Sequence, residues 1–113
     1  MQVTVLDVLS LPIMKSCHLL AGERGLSRAV EYVDVLESPQ GLGWLKPNDV
    51  LITSIFPILD DKQAQHRLIS DLHAMDASLL LIKTGRFVQK VPDFMVEQAN
   101  QYEIPLVELP ADM

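Results

Sequence analysis

Residues 79–83 read LLLIK, and Thr84-Gly85-Arg86 follow directly. Four apolar residues in a row, with no polar alternation, describe a strand covered on both faces. Such a strand needs a layer above and below it, so its neighbours decide the fold. Upstream, Val50-Leu51-Ile52-Thr53-Ser54 is a second short, β-branched apolar run. Between the two, Asp60 and Asp61 place acids at the start of a helix that reaches about Met75. Ala64, Leu68, Leu72 and Met75 recur there at helical spacing. Downstream, Pro92 opens another helix at its first turn, where a missing N–H costs nothing. Met95, Ala99 and Tyr102 form its inner face, and Ile104 to Leu109 is the last strand. Pro105 cannot donate to a ladder, so this strand begins there or lies at an edge. Strand, helix, strand, helix, strand predicts right-handed βαβ crossovers. The expected fold is α/β: a small, mainly parallel sheet with flanking helices.

The front half adds an N-terminal helix and a β-hairpin-like segment. Thr4 to Leu11 reads as a short amphipathic helix, with Val5, Leu6 and Leu9 as its stripe. Thr4 and Asp7 have capping-box spacing, and Pro12 marks the end. His18 to Leu20 and Val30 to Leu36 are two extended pieces around Ala21-Gly22-Glu23-Arg24-Gly25, which suggests a hairpin or tight reversal. Glu37 to Asp49 is rich in Gly and Pro and reads as a loop. Its Gly41-Leu42-Gly43-Trp44 lacks the spacing of a phosphate-binding loop.

With 113 residues the chain makes one domain, residues 1–113, and its 49% hydrophobic and 21% charged content is globular. A net charge of −6 and the absence of a basic run exclude direct nucleic-acid contact by these residues. The start lacks a secretory signal, and no apolar stretch approaches the roughly 18–20 residues that span a bilayer. The expectation is a cytoplasmic domain with no membrane contact. Cys17 is the single cysteine, so no disulfide framework or cysteine-rich metal site forms. His66 and His73 lie about 10 Å apart on one helix, too far to share a metal, and no cofactor is implied.

In open α/β sheets, ligands sit beyond the carboxyl ends of the strands. That rule selects Glu37, Thr53, Ser54, Lys83, Thr84, Gly85, Arg86 and Glu108 as a candidate ligand-binding rim, with Ser38 beside Glu37. Strand ends are also polar simply because they emerge into water, so the composition of the rim is not specific. No nucleophile–base–orienter arrangement stands out, and neither Ser38 nor Ser54 sits in a GxSxG elbow. The expectation is a non-enzyme.

The blocks also resemble a known family. Thr4-Val5-Leu6-Asp7, Leu11-Pro12, Leu20 to Leu26 with Arg28 and Val30, and Val33 to Glu37 match it in order. So do Trp44 to Thr53, Thr84-Gly85-Arg86, Val91-Pro92, Ala99 and Ile104 to Pro110. Together they are similar to the N-terminal domain of purine catabolism regulator (PucR)-type bacterial transcription factors. Two departures stand out: Asn48-Asp49 replaces the family's usual Gly-Glu, and Ser54-Ile55 stands where Thr-Gly is common. The resemblance implies a regulatory domain upstream of a separate C-terminal helix-turn-helix, controlling purine or related catabolic genes. The final LPADM accordingly reads as a boundary within something longer. Two functions fit: sensing a small-molecule metabolite at the strand-end rim, or a docking module that forms a homodimer through apolar surface near Trp44, Ile55 and Phe56.

Overall fold

The LLLIK run lies at the centre of a five-stranded sheet in a computed structural model of the chain, which describes residues 2–36, 45–86 and 88–112. The elements run α1 (Val5–Leu9), β1 (His18–Ala21), β2 (Tyr32–Val35), β3 (Asp49–Thr53), α2 (Lys62–Ala74), β4 (Leu79–Lys83), α3 (Asp93–Tyr102) and β5 (Leu106–Leu109). Short 3-10 turns occupy Pro12–Ser16, Glu23–Gly25 and Phe56–Ile58. Strand order is β1-β5-β4-β3-β2. The pairs β2–β3, β3–β4 and β4–β5 are parallel, and β1–β5 is antiparallel. The expected α/β architecture therefore stands, with its parallel part in β2 to β5.

Alternation of side chains divides the core into two layers. Leu51, Leu80, Ile82 and Leu106 pack with Ala64, Leu68, Leu72, Met95 and Ala99 of the two long helices. Val50, Leu79, Leu81, Val107 and Leu109 face the other way and pack with Val5, Val8 and Leu9 of α1. This second layer is only partly covered: Val33 and Val35 on β2 stay 61% and 55% exposed.

Local chemistry explains the helix ends. Asp7 N–H donates to Thr4 Oγ1 while Thr4 N–H donates to Asp7 Oδ2, which completes the capping box. The helix is shorter than its pattern suggests, ending at Leu9, and Leu6 faces solvent. Asp61 caps α2 by accepting from Ala64 N–H at 3.0 Å. Met75 is the C-terminal cap of α2 and is exposed, so the buried stripe ends at Leu72. His66 stacks on Phe94 and His73 on Tyr102, both across the α2–α3 seam. Pro105 precedes the first paired residue of β5, and that strand is internal.

The hairpin expectation is corrected. The two extended pieces exist, as β1 and β2, but they lie at opposite edges of the sheet. Gly22, at φ 77°, turns the chain against the end of α3, where its N–H donates to Asn100 Oδ1 at 2.9 Å. A Cβ there would stand 2.0 Å from the Ile104 carbonyl oxygen, so only glycine permits the approach. The chain then pairs with its own N-terminus through Val5 N–H to Arg28 O and Val30 N–H to Val3 O. That detour carries it across the sheet before β2 begins.

Candidate functional site

The parallel strands β2, β3 and β4 end together, and a cavity of about 470 Å³ opens at that end. Strand β2 and its extension contribute Val35 and Leu36, and β3 contributes Ile52, Thr53 and the following Ser54. Phe56 and Pro57 form a third side, and Lys83 arrives from the end of β4. The wall is mostly apolar with a few polar groups at one margin, the usual makeup of a small-molecule cleft. Among the described residues, Lys83 is its one charged side chain.

Backbone geometry after β3 shapes the mouth. Thr53 Oγ1 accepts from Ile55 N–H at 3.0 Å, and Ser54 Oγ accepts from Phe56 N–H at 3.4 Å. Hydroxyls bonded two residues ahead make tight local turns. Ile55 itself has φ 69° and is fully buried. A β-branched residue in the left-handed region is strained, and glycine would adopt it without penalty. This is the position where the resembled family commonly has glycine. Asn48, in place of the other family glycine, also has positive φ, at 67°. Asparagine tolerates that region, and Pro47-Asn48 fits the central pair of a type II turn.

The eight rim residues do not all meet. Thr53, Ser54 and Lys83 line the cavity. Thr84 is buried, and its N–H donates to Leu109 O at 3.1 Å, which ties the end of β4 to β5. Gly85, at φ 99°, donates to Val88 O at 2.7 Å and serves the turn that leaves the sheet. Arg86 is exposed in that turn, outside the cavity wall. Glu108 lies on β5, opposite Ile82 and His18, with β4 between it and Thr53. Glu37, Ser38 and Trp44 lie outside the described residues. Ile55 offers no docking surface because it is buried, whereas its neighbour Phe56 is 56% exposed.

A second polar constellation, at the opposite end of β3, has no counterpart among those eight residues. Asp34 Oδ2 accepts from Lys46 Nζ at 3.1 Å, and Asp49 Oδ2 accepts from Lys46 N–H at 3.3 Å. Lys46 Nζ also stands 4.8 Å from the centre of the Tyr32 ring. Asp49 is fully buried, and its Oδ1 has no hydrogen-bond partner. Burial, and then a hydrogen bond with the Asp34 carboxyl, push Asp49 up to about 6. That same hydrogen bond, together with the Lys46 ammonium, holds Asp34 below the ordinary carboxylate range. An acid inside β2, Asp34, and another at the first residue of the apolar β3, Asp49, were the available sequence signal.

Among the described residues, no group of three or more His, Cys, Asp and Glu side chains could hold a metal. No helix of the described chain is long and apolar enough to cross a membrane. Burial raises the Cys17 thiol above its ordinary value, which works against a reactive thiolate.

The profile of the purine catabolism regulatory protein-like family, PucR, matches residues 7–113. The purine catabolism regulatory protein of Bacillus subtilis (strain 168) is 30% identical over 106 residues, which cover 94% of this chain and 20% of that protein. The chain thus spans a fifth of the length of this curated relative. No solved structure gives a significant match. The blocks from Asp7 to Pro110 therefore fall within one continuous match, and the chain belongs to the purine catabolism regulatory protein-like family.

Proposed function

We propose that this chain is the ligand-sensing domain of a cytoplasmic bacterial transcriptional regulator that acts on purine or related catabolic genes. The supporting observation is the cavity at the carboxyl ends of β2, β3 and β4, with Lys83 at its margin. Its chemistry suits a small metabolite with a flat apolar body and an anionic group. The body lies against Val35, Ile52 and Phe56, and Lys83 pairs the anion. Ser54 is the neighbouring hydroxyl. The domain is not an enzyme in this reading, and DNA is contacted by a separate C-terminal helix-turn-helix domain. Ligand binding biases how the sensing domain sits against its neighbours and so changes DNA affinity. Calorimetry against purine-pathway and related metabolites tests this. The expected result is a binding heat that disappears in Lys83→Met. Absence of heat with every metabolite would sink the sensor reading.

The exposed apolar edge favours a second reading, a module that pairs with a second copy of itself. Leu36 N–H bonds Ile52 O and Tyr32 N–H bonds Asn48 O, so Val33 and Val35 direct their backbone groups to the open edge. Val33, Val35 and Phe56 add exposed apolar surface beside that edge. Sedimentation equilibrium should then show a dimer that Val33→Lys dissociates, and a monomer at all concentrations would reject this reading.

A further inference from the structure

At the amino end of β3, charged groups from three consecutive segments meet beside a buried atom without a partner. Asp34 comes from β2, Lys46 from the turn before β3, and Asp49 from β3 itself. One Asp49 oxygen accepts the Lys46 N–H, and the other makes no hydrogen bond. A buried carboxylate oxygen with no donor is unfavourable. A carboxyl in this position is relieved by keeping a proton, provided an acceptor lies within reach. The Asp34 carboxyl is that acceptor: Asp34 stands two residues beyond Tyr32, which pairs with Asp49, so both acids lie on one face of the sheet, and Lys46 bonds to both. Asp34 is also the better-compensated of the two, because Lys46 Nζ sits on its Oδ2. The proton therefore belongs on Asp49.

We propose that Asp34 and Asp49 hold one proton between them, and that the protonated pair, braced by Lys46, is a latch fastening edge strand β2 to β3. No other charged group acts on Asp49 among the described residues. Tyr32, opposite Asp49 on β2, lies under the Lys46 ammonium. From the β4 side, Ser78 N–H donates to the Asp49 carbonyl, and Asp76 is turned towards Arg28 at 3.6 Å. Loss of the proton leaves two carboxylates facing each other across the β2–β3 seam with one ammonium between them. The seam then loosens as pH rises. Val35 and Leu36 follow Asp34 directly and form the β2 side of the cavity, so the same latch fixes one cavity wall. The latch stands whether or not that cavity takes a ligand.

Carboxyl-carbon NMR titration of the 113-residue chain, from roughly pH 3 to pH 9, tests the pair. Asp49 should titrate at about 6. Its midpoint should fall towards the ordinary aspartate value in Asp34→Asn. Hydrogen exchange, corrected for its intrinsic pH dependence, should show Leu36 N–H losing protection as Asp49 ionises. An Asp49 midpoint in the ordinary range in the unmutated chain would overturn the proposal. So would a raised midpoint that Asp34→Asn leaves unmoved, since burial alone would then explain it. Constant protection of Leu36 through the titration would reject the latch.

Discussion

The two ends of β3 solve opposite problems. At its carboxyl end, the turn buries an apolar residue, Ile55, and leaves Ser54 and Lys83 at the margin of an open cavity. At its amino end, the fold buries polar groups, Asp49 and Ser78, satisfying the Ser78 hydroxyl through Ala29 but only one of the two Asp49 oxygens, through Lys46. Apolar burial stabilises wherever it occurs, whereas polar burial is favourable only when partners are supplied. Polar groups should therefore matter for stability at the amino end and for recognition at the carboxyl end.

The largest effect should come from Ile55. Ile55→Ala removes a fully buried side chain and should lower the unfolding free energy by about 2–5 kcal/mol in urea titration. Ile55→Gly loses the same side chain but relieves the left-handed backbone, so it should be about 1 kcal/mol more stable than the alanine variant. Alanine outperforming glycine there would contradict the strained turn. Next, Ser78→Ala leaves the Ala29 carbonyl without the Ser78 hydroxyl and should cost about 1–3 kcal/mol. Ser54→Ala, at the other end, should stay within about 0.5 kcal/mol of the unmutated chain. Equal losses for the two serines would erase the contrast between the ends.

Proton linkage gives a smaller effect, confined to the amino end. The folded pKa of Asp49 lies above its ordinary value, so the folded state keeps a proton that the unfolded state has released. Its contribution is fully present below about pH 4 and is lost as pH rises through about 6. Asp34, shifted downward, works in the opposite sense below the ordinary range. Thermal midpoints of the unmutated chain should therefore fall across that window relative to Asp49→Asn, which lacks the titration. Parallel profiles would remove the distinction. The smallest expected change is in the stability of Lys83→Met, within about 0.5 kcal/mol, although metabolite binding should be lost. A large destabilisation would mean that Lys83 serves the fold and not recognition.

Much of this architecture was legible because local rules and global packing agree. Leu79 to Lys83 forms β4 as its apolar run indicates, and Asp61 and Pro92 stand at the N-cap positions of α2 and α3. The hairpin failed for a tertiary reason. Gly22 does make a turn, but contacts with Asn100 and Ile104, far along the chain, direct the path across the sheet. The candidate rim was legible only in part. Thr53, Ser54 and Lys83 share one cavity because β3 and β4 are adjacent. Glu108 is kept from it by strand order, and Thr84 is buried by its ties to β5.

By itself, the sequence determined which segments become strands and helices, the parallel layout of the second half, and the family. Those properties rest on periodicity, capping and turn chemistry, which act between residues close along the chain. Only the tertiary structure decided that β1 and β2 lie at opposite edges, that Ile55 holds a glycine's conformation, and that Asp34 meets Asp49 beside Lys46. Each depends on contacts between distant segments, where burial and the need to satisfy polar groups outweigh local preference.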